Sequence, residues 1–285
     1  MERETRSFPG SAQFRAALLC VLALSLATGC AHLETKLAAH EGKAGKAFSG
    51  RVVDAAGAPI SEARISVGGA ETRSAGDGSF RLAVPHAERY LLAITHPDYA
   101  DLSHLSHRPL ADRTWELVAA QVEMVDPSGP VVLVDTRPEL AAKGLGGARF
   151  ELAPDSLVDD QGRPPSGMLR AALATLDVAN GEGPNEWAVR AADGTEGFLV
   201  SYGAVFVQFS DPATGATYQL RSGRTADLSL PVLPAMRNHT PPGGQAPFWY
   251  YDDAEGYWKR NGTSTFDAAT GAYVGTVDHL STINT

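Results

Sequence analysis

The chain has 285 residues and a formal net charge of −9, from 33 acidic and 24 basic side chains. This acidic excess disfavours nucleic acid and anionic lipid surfaces as partners, because both repel a negatively charged protein. The 29 glycines and 18 prolines separate short runs of aromatic and β-branched residues, and no long stretch repeats apolar residues at helical spacing. The sequence therefore predicts an all-β fold class.

Residues 1–29 are predicted to be an export signal peptide. Arg3, Arg6 and Arg15 give a basic start, and an apolar run follows from Ala16 to Leu26. That run is too short for a permanent membrane span but suits the apolar region of a signal peptide. The 256 residues after this segment are enough for two modules of ordinary size.

The segment that ends at Cys30 resembles the lipobox of bacterial lipoproteins. It reads Leu26-Ala27-Thr28-Gly29-Cys30, so small residues precede a cysteine. The resemblance implies cleavage before Cys30 and a lipid on its thiol, through which the chain would contact a membrane. The family prefers leucine where this chain has Ala27, so ordinary signal-peptidase cleavage with a free Cys30 is the alternative.

Cysteine usage is consistent with lipidation. Cys20 lies inside the predicted signal, which leaves Cys30 alone in the mature chain and excludes an intramolecular disulfide there. An unpaired thiol in an exported protein needs another use, and lipidation provides one. Ala31 stands where retention in the inner membrane commonly uses aspartate, so the resemblance implies the outer membrane and leaves open which leaflet.

The next segment, residues 30–46, is polar and rich in small residues, and is predicted to be a tether. Strand patterns begin after it. Gly50–Asp54 and Ala63–Val67 alternate with period two, and Asp77-Gly78 forms a tight turn with positive φ. These features predict a small β-sandwich over residues 47–125.

This sandwich segment contains a recognisable signature. The pattern G-x-V-x-D-x-x-G-x-P-I-x-x-A-x-V-x-V runs from Gly50 to Val67 with Ile65 for one valine, and T-x-x-D-G-x-F follows from Thr72 to Phe80 with one extra residue. These residues resemble the carboxypeptidase regulatory-like family. The resemblance implies a seven-stranded, prealbumin-like sandwich that serves as a spacer or binding platform and performs no chemistry itself.

A second β-sandwich module is predicted over residues 130–285. Val131–Val134 has the pattern of a buried strand, and Gly147–Leu152 gives another. Phe198–Phe209 is apolar at both parities, which predicts one central strand covered on both faces. Repeated turn residues between such runs are typical of a sandwich.

The end of the chain is predicted to form two hairpins. Pro247–Tyr251 and Tyr257–Lys259 flank a five-residue turn, and Thr263–Phe266 and Tyr273–Thr276 repeat this arrangement. Their P-x-W-x-x-D…G-x-W…G-x-Y-x-G-x-V-x-H-x-S order resembles the C-terminal part of extracellular modules in cartilage intermediate layer protein and its bacterial relatives, with Leu280 where an aromatic residue is common. The resemblance implies an adhesion or matrix role.

Four aromatic residues of the first hairpin form the candidate ligand-binding set: Trp249, Tyr251, Tyr257 and Trp258. They could stack on sugar rings, but cross-strand aromatic pairs serve equally well as core. In an alternating hairpin, one parity faces the core, so at most half of these rings would be free to bind.

Hydrolase and metal motifs were also considered. No histidine is followed three residues later by glutamate, and neither H-E-x-x-H nor G-x-S-x-G occurs. The sequence thus predicts no catalytic residue, no cofactor and no metal. Open alternatives are a metal held by three histidines, calcium in two acidic turns, and a glycosidase-type carboxylate pair formed by the fold. The groups concerned are His96, His104 and His107 for the metal, and Asp159-Asp160 and Asp252-Asp253 with Glu255 for calcium.

The leading functional hypothesis is a non-enzymatic, lipid-anchored envelope protein at the outer membrane. Its β modules would act as spacer and as a binding or adhesion surface for an envelope protein or glycan, with no nucleic acid partner. The alternative is a carbohydrate-binding or carbohydrate-active protein that uses the aromatic hairpin and carboxylates at the sandwich edge.

Overall fold

The computed structural model describes residues 47–190, 194–239 and 244–285. The predicted signal peptide, the tether and Cys30 lie outside the described residues. Within these ranges the chain forms 21 strands, one short α-helix and two 3-10 turns, so the predicted all-β fold class is confirmed. In the same ranges, no helix has the length and apolar character needed to cross a membrane.

The first seven strands build one sandwich from two sheets. One sheet has the order β4-β1-β7 and the other β3-β2-β5-β6, which is the seven-stranded arrangement that the signature implies. The strands are β1 Ala47–Val53, β2 Arg64–Val67, β3 Ala70–Arg73, β4 Ser79–Ala83, β5 Tyr90–Thr95, β6 Leu102–Ser106 and β7 Arg113–Glu116.

Alternating burial places one face of these strands in a common core. In β5 every second residue is buried, beginning with Tyr90, and Leu92 and Ile94 are fully buried. They pack with Phe48 of β1 and Ile65 of β2. The period-two pattern of the sequence is therefore the pattern of this core.

Two signature glycines are required by close backbone approaches. A Cβ on Gly50 would lie 1.9 Å from the carbonyl oxygen of Arg113, because β1 runs parallel and adjacent to β7. Gly78 has φ +78°, and a Cβ there would lie 2.4 Å from the carbonyl oxygen of Val52. Any side chain at either position would push neighbouring strands apart.

The remaining 14 strands form a third sheet, which is continuous. They are β8 Gln121–Val125, β9 Val131–Val134, β10 Arg149–Leu152, β11 Leu157–Val158, β12 Leu169–Leu176, β13 Ala188–Arg190, β14 Glu196–Phe198, β15 Ala204–Ser210, β16 Thr217–Leu220, β17 Ala226–Pro231, β18 Gln245–Asp252, β19 Tyr257–Asp267, β20 Ala272–Val277 and β21 Thr282–Asn284. Helix α1 spans Pro138–Ala142, and the 3-10 turns span Val178–Asn180 and Pro234–Met236.

The central path of this sheet has the order β11-β16-β15-β21-β18-β19-β20-β17-β10-β9, with β12 joined to β15 and β8 to β12. Strands from both ends of the path share one core, in which Phe150 of β10 and Phe209 of β15 have ring centroids 5.9 Å apart. The opposite face of β12 and β15 packs into a second cluster that includes Ala174, Phe206 and Leu140 of α1.

The prediction of one strand from Phe198 to Phe209 is wrong about where the strand begins. β14 ends at Phe198, which is 85% exposed, and β15 begins only at Ala204. Within β15, however, Val205 and Phe206 are both buried although they point to opposite faces. The apolar run therefore contains a central strand covered on both faces, as predicted, and an exposed segment that precedes it.

Both predicted hairpins at the end of the chain are confirmed. β18 pairs with β19 across the turn after Asp252, and β19 pairs with β20. A single 11-residue strand, β19, is shared by the two hairpins. β21 then inserts between β15 and β18, so the residues after the hairpins complete the centre of the sheet.

β8 links the two parts of the fold. It follows the first sandwich directly in sequence but pairs with β12 of the large sheet, with Ala171 opposite Glu123. Side chains add further contacts: the Arg170 guanidinium donates to the carbonyl oxygen of Pro97 at 3.0 Å, and the main-chain N–H of Leu105 donates to Asn185 at 2.8 Å. The two sandwiches are thus joined by hydrogen bonds as well as by the chain.

Candidate functional site

A cleft of about 820 Å³ lies where the first sandwich meets the large sheet. We call it the junction cleft. One wall comes from β2, β3 and the segment after β5, and the other from β15, β16, β18 and the residues before β21. Both modules are therefore needed to form it.

Two aspartates line the junction cleft without a cationic partner. Asp101 follows β5, and its Oδ2 accepts a hydrogen bond from Nε2 of Gln208 at 3.3 Å. Asp253 lies in the β18–β19 turn, and its Oδ1 accepts a hydrogen bond from Oγ of Ser103 at 2.5 Å. Among the described residues, neither carboxylate forms an ion pair with a basic side chain.

The charge of Asp253 disfavours ionisation of Asp101. Burial raises the pKa of Asp101 well above its usual value, and the nearby charge of Asp253 raises it further. Burial also raises the pKa of Asp253, against the effect of the hydrogen bond from Ser103. Asp253 keeps solvent contact and Asp101 is half-buried, so both groups remain reachable from the cleft.

The other charged groups of the cleft are already paired. Arg64 and Glu71 are joined at 2.7 Å across β2 and β3. Lys259 and Asp252 are joined at 2.6 Å beside the hairpin turn. Arg73 lies 3.8 Å from Glu62. These charges compensate one another, so among the described lining residues Asp101 and Asp253 are the acidic groups left without a basic partner.

Aromatic groups cover another part of the cleft. The rings of Tyr250 and His279 lie with centroids 4.0 Å apart at 38°, and both residues line the cleft. Burial lowers the pKa of His279, which favours the neutral imidazole at pH 7. The cleft therefore offers a neutral ring surface close to acidic groups.

Tyr251 also belongs to the cleft lining, and among the described residues its hydroxyl group has no hydrogen-bond partner. The residue is 1% exposed and its phenolic oxygen is buried. Burial raises the pKa of Tyr251, and the charge of Asp253 raises it further. Buried hydroxyl groups are normally hydrogen-bonded, so this one stands out within the site.

The aromatic set predicted from the sequence does not form one exposed platform. Tyr251 and Trp258 are 1% and 0% exposed and face each other across the hairpin in an edge-to-face pair, with centroids 5.3 Å apart. Trp258 stacks on Trp187, and its Nε1 donates to the carbonyl oxygen of Glu186 at 2.6 Å. These two rings are buried by protein, which agrees with the expectation that at most half of the set would be free to bind.

The other two rings of the set are partly accessible. The Tyr257 ring has the guanidinium carbons of Arg89 and Arg190 at 5.0 and 4.2 Å from its centroid, and Nη1 of Arg89 donates to its hydroxyl at 2.9 Å. Those contacts engage the ring in cation–π interactions. Trp249 is half-buried on β18, opposite Asn284 of β21, and ligand binding by Trp249 stays a prediction.

The three histidines considered as metal ligands contact different groups. His96 packs against Tyr99 and His104 against Trp115, while Nδ1 of His107 lies 3.1 Å from the carbonyl oxygen of Glu88. In the part of the chain that the structure describes, no group of three or more histidine, cysteine, aspartate or glutamate residues is placed to hold a metal ion.

The acidic turns considered for calcium use their carboxylates internally. Asp159 accepts hydrogen bonds from the main chain of Gln161 and from Arg163, whose Nε lies 2.8 Å from Oδ2. Asp252 accepts hydrogen bonds from the main chain of Ala254 and from Lys259. These aspartates act as turn formers in the structure.

The sequence places Asp253 in an acidic turn that could hold calcium, and it gives no signal for Asp101. The two positions are more than 150 residues apart, and they meet because the β18–β19 turn packs against the first sandwich. A carboxylate pair created by the fold was anticipated as a class of site, but neither residue had a local pattern that marked it.

Comparison with known proteins assigns a family to one segment of the chain. No curated protein matches the chain. Two crystal structures of BcpA, the major pilin subunit of Bacillus cereus, align at 12% and 10% identity, covering 84% and 81% of this chain and 87% and 84% of the pilin chain. Both have a TM-score of 0.21, which is too low to indicate a shared fold. Residues 47–126 match the family model of the carboxypeptidase regulatory-like domain, so the family assignment predicted for this segment is confirmed.

Proposed function

We propose that the chain is a non-enzymatic, lipid-anchored envelope protein whose two β modules together present a ligand-binding surface, with the junction cleft at its centre. The lipid on Cys30 would hold the protein at the outer membrane. The partner would be an envelope protein or glycan. The observation that supports a binding role is the cleft itself, because its walls come from both modules and enclose unpaired polar groups.

The regulatory-like segment favours a supporting role for the first module. Its seven strands complete a compact sandwich with its own core. Residues 47–126 match the carboxypeptidase regulatory-like domain family, and the resemblance to this family implies a spacer or platform. Its contribution to the cleft would be to hold Asp101 and Ser103 against the large sheet. A platform of this kind needs a defined shape and a fixed position, and it performs no reaction of its own.

The anchor is tested by metabolic labelling with radioactive palmitate. The native chain and the Cys20→Ala variant should both incorporate label, because residue 20 is removed with the signal. The Cys30→Ala variant should incorporate none. Equal labelling of all three proteins, or of none, would contradict the anchor.

The role of the cleft is tested by filling it. Thr217 is exposed on β16 and lines the cleft, so a Thr217→Trp substitution would occupy the space without disturbing either core. Thr225 is exposed as well but lies outside the cleft lining, which makes Thr225→Trp the matched control. In affinity capture from cell envelopes after chemical cross-linking, partners should be lost with Thr217→Trp and retained with Thr225→Trp. Identical capture by both variants would contradict binding in the cleft.

A second candidate function is a carbohydrate-active enzyme, and the pair of Asp101 and Asp253 favours it. Glycoside hydrolysis uses one protonated and one ionised carboxyl group on either side of the scissile bond. Burial raises the pKa of Asp101 more strongly than that of Asp253, which would suit Asp101 as the acid. Release of reducing sugar from envelope glycans, abolished by Asp101→Asn, would establish this function in place of the first.

A further inference from the structure

The junction cleft combines a pair of aromatic rings with uncharged polar side chains on both of its walls. We infer that it binds a neutral oligosaccharide, with the rings of Tyr250 and His279 against a sugar face and protein hydroxyl groups around the sugar hydroxyls. This inference rests on the proposed function and names the class of its ligand.

The ring pair is the surface on which a sugar would stack. Tyr250 and His279 are both half-buried, so each keeps solvent contact, and both line the cleft with ring centroids 4.0 Å apart. The C–H groups on the face of a sugar ring are apolar and pack well on aromatic rings. The cleft volume of about 820 Å³ lies in the range of sites that enclose small ligands, so it has room for more than one sugar unit.

Side-chain amides hold the segment that carries His279 in a fixed shape. Asn261 is fully buried, and its Oδ1 accepts hydrogen bonds from the main-chain N–H groups of Asp278 and His279 at 2.9 and 3.0 Å. Gln219 contacts both main-chain groups of Leu280, because its Oε1 accepts from the N–H at 2.9 Å and its Nε2 donates to the carbonyl oxygen at 2.6 Å. This part of the wall is therefore formed before a ligand arrives, as in most small-molecule sites.

Hydroxyl groups without a protein partner line both walls. Ser210 and Thr217 are paired across β15 and β16, so their side chains project from the same face of the large sheet. Thr95 ends β5 on the opposite wall. Within the described ranges, none of these three hydroxyl groups has a hydrogen-bond partner in the protein. A hydroxyl group can both donate and accept, which matches the hydroxyl groups of a sugar.

The charges of the cleft disfavour an anionic glycan. Arg64 and Arg73 face Glu71 and Glu62, so among the described lining residues no arginine or lysine is free to pair with a carboxylate or sulfate group. The two aspartates without a basic partner would repel such groups. A neutral sugar avoids both difficulties.

The lining also differs from that of a groove for peptide side chains. The apolar lining residues Phe206, Val207 and Leu280 are at most 2% exposed, so they belong to the core beneath the cleft. Protein ligands are usually anchored by large side chains that enter open, well-packed pockets. A sugar chain needs ring faces and hydrogen-bonding groups, and this lining provides them.

Four neutral tetrasaccharides with different sugars or linkages serve as probes: cellotetraose, maltotetraose, mannotetraose and the N-acetylglucosamine tetramer. The full chain is purified in a detergent without a sugar head group, because such a head group would compete for the cleft. Each probe is then titrated by calorimetry.

One pair of variants tests the ring surface. Tyr250→Ala removes a ring from the cleft. Phe198→Ala is the control, because it removes an 85% exposed ring outside the cleft lining. The melting temperature shows whether each variant folds.

A second pair tests the hydroxyl groups and stays decisive if Tyr250→Ala does not fold. Thr95→Val combined with Thr217→Val removes one hydroxyl group from each wall and keeps the side-chain size. Thr225→Val combined with Thr276→Val makes the same change at two exposed positions outside the lining.

At least one tetrasaccharide should bind to the native chain. For that probe, Tyr250→Ala should lower the affinity about fivefold to tenfold, and the valine variant of the cleft should lower it about threefold or more. Both controls should keep the native affinity. Absence of binding by all four probes would overturn the inference, as would equal affinities in the cleft variants and their controls. If the inference fails but Thr217→Trp still loses envelope partners, the cleft binds a protein and the proposed function stands; unchanged capture would mean that both fail.

Discussion

Replacement of Arg137 by methionine should be among the most destabilising single changes outside the apolar core. Nη2 and Nε of Arg137 donate to the two carboxylate oxygens of Asp135 at 2.8 and 2.9 Å, and Nη2 also donates to the carbonyl oxygen of Thr175 at 2.9 Å. A further bond to the carbonyl oxygen of Ala119 ties the residue to the segment before β8. Arg137 thus connects three parts of the chain at one point.

The expected loss of stability follows from the burial of the Asp135 and Arg137 side chains. The side chain of Asp135 is 0% exposed and that of Arg137 is 9% exposed, so loss of the guanidinium would leave a buried carboxylate with main-chain donors only. Breaking such a pair costs about 3–5 kcal/mol in the free energy of unfolding. For a unit of this size, the melting temperature should fall on the order of 10 °C.

The pH dependence gives a sharper test than the melting temperature alone. Burial acts to raise the pKa of Asp135, but hydrogen bonds from Arg137 and Thr175 outweigh it and hold the pKa below its usual value. In the native chain this stabilisation is present above the unfolded pKa of about 3.9 and is lost as the pH falls through the folded pKa. Without Arg137 the folded pKa should rise instead, so stability would be lost as the pH increases above about 4.

Urea unfolding at pH 4 and pH 7 measures this difference. The variant should be several kcal/mol less stable than the native chain at pH 7, and the gap should be clearly smaller at pH 4. The double variant with Asp135→Asn as well should recover a large part of the loss, because the buried charge is gone. A loss below about 1 kcal/mol, or a gap that is equal at both pH values, would refute the reasoning.

Three other changes should have measurable effects on folding. Gly147→Ala should cost at least about 2 kcal/mol in urea unfolding, because the new Cβ would lie 1.7 Å from the carbonyl oxygen of Asp135. Trp258→Phe should cost about 1–3 kcal/mol, since the partly buried main-chain carbonyl of Glu186 loses its indole donor. A fragment of residues 121–285 should aggregate less in light scattering than one of residues 130–285, because β8 then covers the edge of β12.

Each of these three predictions has a matched control. Gly129→Ala is the control for the glycine change, because the nearest atom to its new Cβ is 3.8 Å away and its stability should match the native chain. For Trp258, the half-buried Trp249 position tests whether loss of any indole on β18 or β19 is enough, and Trp249→Phe should have a smaller effect. Equal aggregation of the two fragments would mean that β8 does not protect the sheet.

The sequence predicted the fold class and the first sandwich because their determinants are local. Alternating burial in β5 follows from residue type at period two, and the glycines at positions 50 and 78 mark places where backbone lies too close for a side chain. The hairpins around β19 were likewise readable from turn residues between aromatic runs. Short-range chemistry fixes each of these features.

The errors came from features that depend on distant parts of the chain. Phe198 belongs to an apolar run, but only its position on the outer strand β14 leaves it exposed. The sequence also left the role of Tyr251 and Trp258 open, because their aromatic pattern fits either a binding face or a core. Packing of Trp187 from another element decides in favour of the core. Asp101 and Asp253 become a pair only through the meeting of two modules.

The way in which the modules are joined explains why the junction cleft can have a fixed shape. Because β8 is built into the large sheet, only the few residues after β7 separate one sandwich from the other. The Arg137 contacts hold that short connection against β12, and the bond between Asp253 and Ser103 holds the hairpin turn to β6 of the first sandwich. With attachments at both points, rotation of one sandwich about the connection would break hydrogen bonds at the turn. Separated modules would therefore keep their cores and lose the cleft, so ligand binding should depend on the intact pair.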